Sequence, residues 1–319
     1  MKDKKVIFIT NEILPSGVKI LQDYGFIVNF PKISKGPIAR AELFSEALNS
    51  DGIITMLNDQ IDSEFLSKNK HLKIIANYAV GFNNIDIETA RDLKIAVTNT
   101  PLVLTDATAE VAVGLIIATA RNFRSAELIL RSGGFTHFEP MGFLGQSLTN
   151  KTLGIIGLGR IGLKVAEIMK HAFNCQIIYT SNKSENSIGR KVELDELLKS
   201  SDIISIHAPS NLQTKNMIGK NEFKLMKKNA IIINTARGDI VDHYELFNAL
   251  KNKEIFGAGL DVTHPEPLNL DHPLFSLDNC YILPHIGSAN NETREKMSVL
   301  CAQNIINVFE GKNPITSVY

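Results

Sequence analysis

Leu153–Gly162 reads LGIIGLGRIG. Leu153, Ile155 and Ile156 form a short apolar run, as in a buried strand, and the run breaks at Gly157 into the spacing Gly157-x-Gly159-x-x-Gly162. A helical pattern follows at once, with Ile161, Val165, Ile168, Met169 and Ala172 on one face. Strand, glycine turn and helix in that order is the context in which this spacing signifies a dinucleotide site. Gly157 permits the tight turn, Gly159 lets the backbone approach a pyrophosphate, and Gly162 lets the helix lie close to the strand. The start of the helix, with Arg160 and Ile161, then offers unpaired N–H groups and a positive dipole end to the phosphate.

The alternation extends in both directions. Downstream, strands are predicted at 153–157, 176–180, 203–207, 230–234, 256–260 and 280–283, with helical patterns between them. Six strands is the count of a complete dinucleotide-binding sheet. Upstream, strands at 4–10, 26–30, 52–55 and 72–77 alternate with helices at 15–24, 39–49 and 62–67, without a glycine fingerprint. The predicted fold is therefore α/β, two doubly wound parallel-sheet domains. Residues 1–98 with 289–319 are expected to form a flavodoxin-like substrate domain, and residues 99–288 a Rossmann NAD(P)-binding domain. Asn99-Thr100-Pro101 is a plausible hinge, since a residue before proline is held extended. Thr105-Asp106 looks like a helix start, and Val111–Arg121 is apolar all round, so it must be buried in a large core or against another copy of itself. Gly133–Gly145, GGFTHFEPMGFLG, reads as an ordered aromatic loop. Thr293–Glu310 is a long amphipathic helix expected to cross back onto the first domain. The crevice between the domains is where a substrate is expected beside the cofactor.

Composition narrows the function classes. The 319 residues are 44% hydrophobic and 21% charged, with 34 basic and 34 acidic side chains. A net charge of zero favours neither a nucleic-acid partner nor an anionic membrane surface. The N-terminal MKDKKVIFITNE is too short in apolar residues for a signal-peptide core. The longest apolar run, Val111–Ala120, is about half a membrane span. Cys175, Cys280 and Cys301 are far apart and form neither a disulfide framework nor a zinc pattern. A cytoplasmic location is the expectation, and no histidine shows metal-ligand spacing.

Three residues stand just past predicted strands of the second domain, at the carboxyl edge where open α/β sheets bind ligands. They are Arg237 in NTARGD, Glu266 in THPEPL and His285 in LPHIGSA. Pro265, Pro267 and Pro284 stiffen the backbone around Glu266 and His285. An imidazolium can supply a proton near neutral pH, a neighbouring carboxylate favours its charged form, and a guanidinium fork suits a planar carboxylate. At the end of the second strand, Ser181-Asn182-Lys183 stands where an NAD site usually carries an acid. Those donors suit a 2′-phosphate, so NADP(H) is preferred and NAD(H) possible.

Gly157–Gly162, the NTARG at 234–238, the HPEP at 264–267, the PHIGSA at 284–289 and NYAVGFNNID at 77–86 resemble the D-isomer-specific 2-hydroxyacid dehydrogenase family, in order and spacing over nearly the whole chain. Within it, DVTHPEPLNLDHPLF and NCYILPHIGSA look most like the glyoxylate/hydroxypyruvate reductase branch. The resemblance implies that Arg237 binds the substrate carboxylate and polarises the keto oxygen, that His285 donates the proton, and that Glu266 is its carboxylate partner. It also implies that the backbone around Val80 and Gly81 holds the carboxylate, and that the Ala208-Pro209 backbone lies along the cofactor. Thr214, Thr235, Asp261 and Gly287 complete the implied cofactor set. The implied assembly is a homodimer, formed through the apolar helix at 111–120 and the loop at 133–145. Phosphoglycerate dehydrogenase, often with an extra domain that this chain is expected to lack, is an alternative within the family. A non-catalytic dinucleotide-sensing protein is the alternative from another class, and a methyltransferase would leave Arg237, Glu266 and His285 without a joint role.

Overall fold

Isoleucine-rich runs form the strands of both sheets, because a parallel strand covered on both faces is apolar along its whole length. The computed structural model describes residues 4–32, 36–182 and 185–319. The chain divides into two units, Met1–Leu104 with Ala289–Tyr319, and Thr105–Ser288.

In the first unit, β1 (Val6–Ile9), β2 (Ile27–Asn29), β3 (Gly52–Thr55), β4 (Ile74–Asn77) and β5 (Ala96–Thr98) alternate with α1 (Pro15–Tyr24), α2 (Arg40–Leu48), α3 (Ser63–Lys68) and α4 (Ile87–Asp92). Strand order is β2-β1-β3-β4-β5, parallel throughout, the flavodoxin-like doubly wound order. Every residue of β3 and β4 is buried. Local chemistry sets the helix ends: Pro15 opens α1, and Asp62 and Asp86 cap α3 and α4 by accepting from the amides of Phe65 and Thr89.

The second unit begins with α5 (Thr105–Ala120) and α6 (Phe123–Arg131). It continues through β6 (Thr152–Ile156), α7 (Arg160–Phe173), β7 (Gln176–Thr180), β8 (Arg190–Lys191), α8 (Leu194–Ser200) and β9 (Ile203–Ile206). Then come α9 (Lys220–Leu225), β10 (Ile231–Asn234), α10 (His243–Lys251), β11 (Gly257–Leu260) and β12 (Cys280–Ile282). The order β12-β11-β10-β9-β6-β7-β8 is parallel throughout. It is the Rossmann order with one strand added beyond the usual six. The sheet has seven strands where the sequence predicts six; the extra one, β8, is two exposed charged residues paired with β7 and carries no apolar pattern.

The apolar helix α5 packs on α7, β10 and β11 of its own unit. Ala109, Ala112, Leu115, Ile116 and Ala120 join Leu153, Ile155, Val165 and Met169 in one core. Of the two predicted ways to bury it, the unit's own core takes the larger part.

Asn99–Leu104 lie with the first unit, although the sequence places the boundary at 98. The reason is hydrogen bonding: Asn99 N donates to Thr316 O at 3.3 Å and Thr100 N to Ala79 O at 2.7 Å. The first unit is completed by α11 (Asn291–Phe309), which Asn290 caps and which packs along α1. Beyond it the C-terminal tail runs antiparallel to β5, with Thr98 bridged to Ser317 and Val318 N donating to Val97 O at 3.0 Å. Among the described residues, no helix is long and apolar enough to cross a membrane.

Candidate active site

The turn after β6 is built for close approach. Gly157 has φ +93°, and a Cβ there would lie 2.6 Å from Ala208 N. At Gly159, by contrast, nothing stands within 4 Å of where a Cβ would be, so the turn is open on that side. Gly162 backs onto the Gly157 carbonyl. No side chain caps α7, whose first internal bond runs from Leu163 N to Gly159 O at 2.9 Å. The amides of Arg160, Ile161 and Gly162 therefore have no partner inside the helix. Of the buried polar atoms that lack a partner among the described residues, two stand at strand ends of this sheet's carboxyl edge: Thr235 Oγ1 after β10 and His207 Nδ1 after β9. An open glycine turn, an uncapped helix start and an orphaned hydroxyl at the end of β10 on the same sheet edge fit a pyrophosphate-bearing dinucleotide.

His207 itself is a neutral packing residue. Desolvation pushes its pKa down to about 3, and Nε2 pairs with Ser205 Oγ at 2.8 Å. Beyond it, Ala208 is buried, and the Pro209 carbonyl accepts from Thr214 Oγ1 at 2.7 Å. Thr214 thus staples the loop. At the end of β7, Ser181 is half-buried and Asn182 exposed; Lys183 lies outside the described residues.

Arg237 follows β10 in a loop shaped by the fully buried Asn234. Asn234 Nδ2 donates to Arg237 O at 2.8 Å, and Asn234 Oδ1 accepts from Ala236 N at 3.0 Å. A Cβ on Gly238 would collide with the backbone of Thr263, so this loop lies directly on the segment that carries Glu266. Desolvation lowers the Arg237 pKa, while the charges of Glu266 and Asp239 oppose it. The guanidinium remains charged.

Glu266 and His285 are paired: His285 Nδ1 donates to Glu266 Oε1 at 2.5 Å. Burial raises the Glu266 pKa, but the hydrogen bond and charge of His285, the Thr263 amide and Arg237 together outweigh it and hold the carboxyl below its ordinary value. The His285 side chain is 28% exposed, and only its Nδ1 is engaged by Glu266.

His285 has φ +54°, a conformation that costs a non-glycine residue on the order of 1–3 kcal/mol. What holds it is Asp261, 1% exposed at the end of β11. Its Oδ1 accepts from Ile286 N at 2.7 Å and its Oδ2 from Gly287 N at 2.8 Å. Thr108 Oγ1 adds a bond to Gly287 O at 3.0 Å. Desolvation keeps the Asp261 pKa raised despite those amides. Asp261 and Gly287, which the sequence associates with the cofactor, thus clamp the histidine loop.

In the first unit, the loop after β4 carries Val80 and Gly81. Three successive carbonyls are tied down: Ala79 O accepts from Thr100 N at 2.7 Å, Val80 O from Asn99 Nδ2 at 2.7 Å, and Gly81 O from Asn77 Nδ2 at 2.8 Å. The amides of Val80 and Gly81 have no acceptor among the described residues. Neighbouring N–H groups held in this way can receive a carboxylate. The sequence reads Asn99 only as part of a hinge and Asn77 only as the start of the segment 77–86, and gives neither a role in the site. Both stand at the carboxyl ends of β4 and β5, so the same edge rule that selects Arg237, Glu266 and His285 points to them. Among the described residues, no cluster of three His, Cys, Asp or Glu could hold a metal ion.

Comparison with known proteins places the chain in a family. Residues 113–287 match the family model of the D-isomer specific 2-hydroxyacid dehydrogenase, NAD binding domain. The chain is 44% identical to a glyoxylate reductase of Aeropyrum pernix over 317 residues, 97% of this chain and 94% of that one. The TT0316 protein from Thermus thermophilus superposes with a TM-score of 0.93 at 37% identity, over 98% of this chain and 100% of the other. An NADPH-dependent glyoxylate/hydroxypyruvate reductase from Sinorhizobium meliloti, in complex with NADP and malonate, superposes with a TM-score of 0.85 at 29% identity, over 99% of this chain and 97% of the other. A family model matched over more than half of the chain, and a relative 44% identical over nearly all of it, show that this chain belongs to the D-isomer-specific 2-hydroxyacid dehydrogenase family.

Proposed function

We propose that the chain reduces a small 2-keto acid, glyoxylate or hydroxypyruvate, to the 2-hydroxy acid (the D-isomer where the product is chiral), as an enzyme of the glyoxylate reductase branch. The observation that carries this is the 2.5 Å contact of His285 Nδ1 with Glu266 Oε1, beside Arg237 at the carboxyl edge of a Rossmann sheet. A bound nicotinamide dinucleotide supplies the hydride. The chain supplies the rest. Gly157, Gly159 and the amides of Arg160, Ile161 and Gly162 receive the pyrophosphate, with Ala208, Pro209, Thr214 and Thr235 along the nucleoside. The Arg237 fork binds the substrate carboxylate and polarises the keto oxygen, and the Val80 and Gly81 amides are proposed as donors to a substrate carboxylate. His285 delivers a proton from Nε2 to the developing alkoxide. Glu266 holds the opposite ring nitrogen, and Asp261 keeps the loop in place.

NADPH is the preferred cofactor on this proposal. Ser181 and Asn182 follow β7 where an acid would otherwise meet the ribose hydroxyls, and the Sinorhizobium meliloti neighbour is named NADPH-dependent. NADH remains usable through the same glycine turn. Initial rates with glyoxylate, hydroxypyruvate, pyruvate and phosphohydroxypyruvate, each with NADH and NADPH, test both points. Glyoxylate or hydroxypyruvate with NADPH is expected to give the highest kcat/KM. Equal use of the two cofactors would remove the NADPH preference. No turnover of any keto acid would leave a dinucleotide-sensing binding protein instead.

A homodimer is the proposed assembly. None of α6 is buried, and Leu130, Phe135, Phe138 and Met141 are 60%, 54%, 80% and 80% exposed. So large an apolar surface suits a self-complementary, two-fold interface. It falls on α6 and the following loop; α5 contributes little, because its apolar residues lie in the core. Light scattering at micromolar concentration is expected to give twice the 35.2 kDa chain mass. A monomer would overturn the assignment. The cytoplasm is the proposed compartment, consistent with three buried free cysteines.

A further inference from the structure

The loop that carries Val80 and Gly81 is held from an unexpected place, the end of the chain. Asn99 Nδ2 donates to Val80 O at 2.7 Å, and Asn99 is itself gripped by Thr316 on both sides of its backbone. Thr316 Oγ1 donates to Asn99 O at 2.7 Å, and Thr316 O accepts from Asn99 N at 3.3 Å. Thr316 is in turn fixed by Asn304 on α11, which is fully buried. Asn304 Nδ2 donates to Thr316 Oγ1 at 2.8 Å, and Asn304 Oδ1 accepts from Ile315 N at 2.7 Å and Thr316 N at 3.1 Å. Every polar atom of the Asn304 side chain is therefore directed at the tail, and the Thr316 hydroxyl is both donor and acceptor in one relay.

We propose that Thr316, set by Asn304, is a positioning residue for substrate: it orients Asn99 so that the Val80 carbonyl is drawn into the scaffold and the Gly81 amide, in the same peptide plane, stays presented to the substrate carboxylate beside the Val80 amide. This rests on the assignment of those two amides under the proposed function. An amide cradle works only while its carbonyls are anchored, because rotation of either peptide removes an N–H from the anion. Loss of one buried hydrogen bond in the relay lets the Val80 peptide rotate, and a net bond of ordinary strength corresponds to about a tenfold change in binding.

The test is Thr316→Val, which keeps the shape and removes the hydroxyl, beside Thr316→Ser, which restores it. For Thr316→Val, KM for the preferred keto acid is expected to rise about tenfold, with kcat changed by less than about threefold and KM for the dinucleotide unchanged. Thr316→Ser is expected to return KM to the wild-type value. A merely structural role would lower the melting temperature of Thr316→Val and leave its KM in place, which overturns the proposal. So would a rise in KM that serine fails to reverse. Should the valine variant not fold, Asn304→Asp asks the same question: it keeps the acceptor for Ile315 and Thr316 while drawing the Thr316 proton away from Asn99 O. An unchanged KM there overturns the proposal equally. A wild-type chain that turns over no keto acid sinks the proposed function and this inference with it, whereas an active wild type with an unaffected Thr316→Val variant sinks this inference alone.

Discussion

Replacing His285 with glutamine is expected to lower kcat for keto-acid reduction by about 10²–10⁴-fold, the usual contribution of a positioned general acid. Glutamine keeps a hydrogen-bonding side chain near the Glu266 carboxylate and removes the ring that carries the proton. Affinity for the dinucleotide is expected to change little, since the glycine turn and the α7 amides do not involve residue 285. A variant that retains most of its kcat at neutral pH would place the proton source elsewhere. Glu266→Gln separates the partner from the donor. Burial raises the Glu266 carboxyl, but the His285 hydrogen bond and charge, the Thr263 amide and Arg237 together outweigh it and hold it below its ordinary value, so it stays anionic through the working range as the acceptor for His285 Nδ1. Glutamine there removes the charge and leaves the ring without an anionic partner to orient it. The kcat of reduction is therefore expected to fall with affinity for the dinucleotide unchanged, and a kcat left in place would remove Glu266 from the proton step.

For Arg237→Lys the expected loss divides differently. A lysine keeps the positive charge and gives up the planar fork, so at least one charge-assisted hydrogen bond to the substrate carboxylate is lost. Such a bond is worth roughly 1.5–3 kcal/mol, so KM for the keto acid is expected to rise about 10- to 100-fold. A fall in kcat accompanies it, because the same group polarises the keto oxygen. The loop loses a contact as well, since Arg237 Nη1 donates to Ala236 O at 2.6 Å. Steady-state kinetics with the dinucleotide saturating measures both effects. A KM within about twofold of wild type would mean that the carboxylate is anchored by other groups.

Much of this architecture is legible in the order of residues, and the parts that are legible are the local ones. A glycine spacing, an isoleucine run and a 3.6-residue apolar period each act within one element. The doubly wound alternation, the dinucleotide turn at Gly157–Gly162 and the strand-end placement of Arg237, Glu266 and His285 are therefore determined by the sequence alone. β8 escapes because two charged residues have no pattern, and the 98/99 boundary shifts because the hydrogen bonds that hold Asn99 and Thr100 come from Thr316 and Ala79. Only the tertiary structure decides which groups meet. His285 finds Glu266 across 19 positions, Asp261 finds the Ile286 and Gly287 amides across 25 and 26, and Thr316 finds Asn99 across 217. The bonds of Glu266 and Asp261 depend on side-chain direction at the mouths of the neighbouring parallel strands β11 and β12, and that of Thr316 on a tail that returns antiparallel to β5; both make neighbours of segments that the chain keeps far apart.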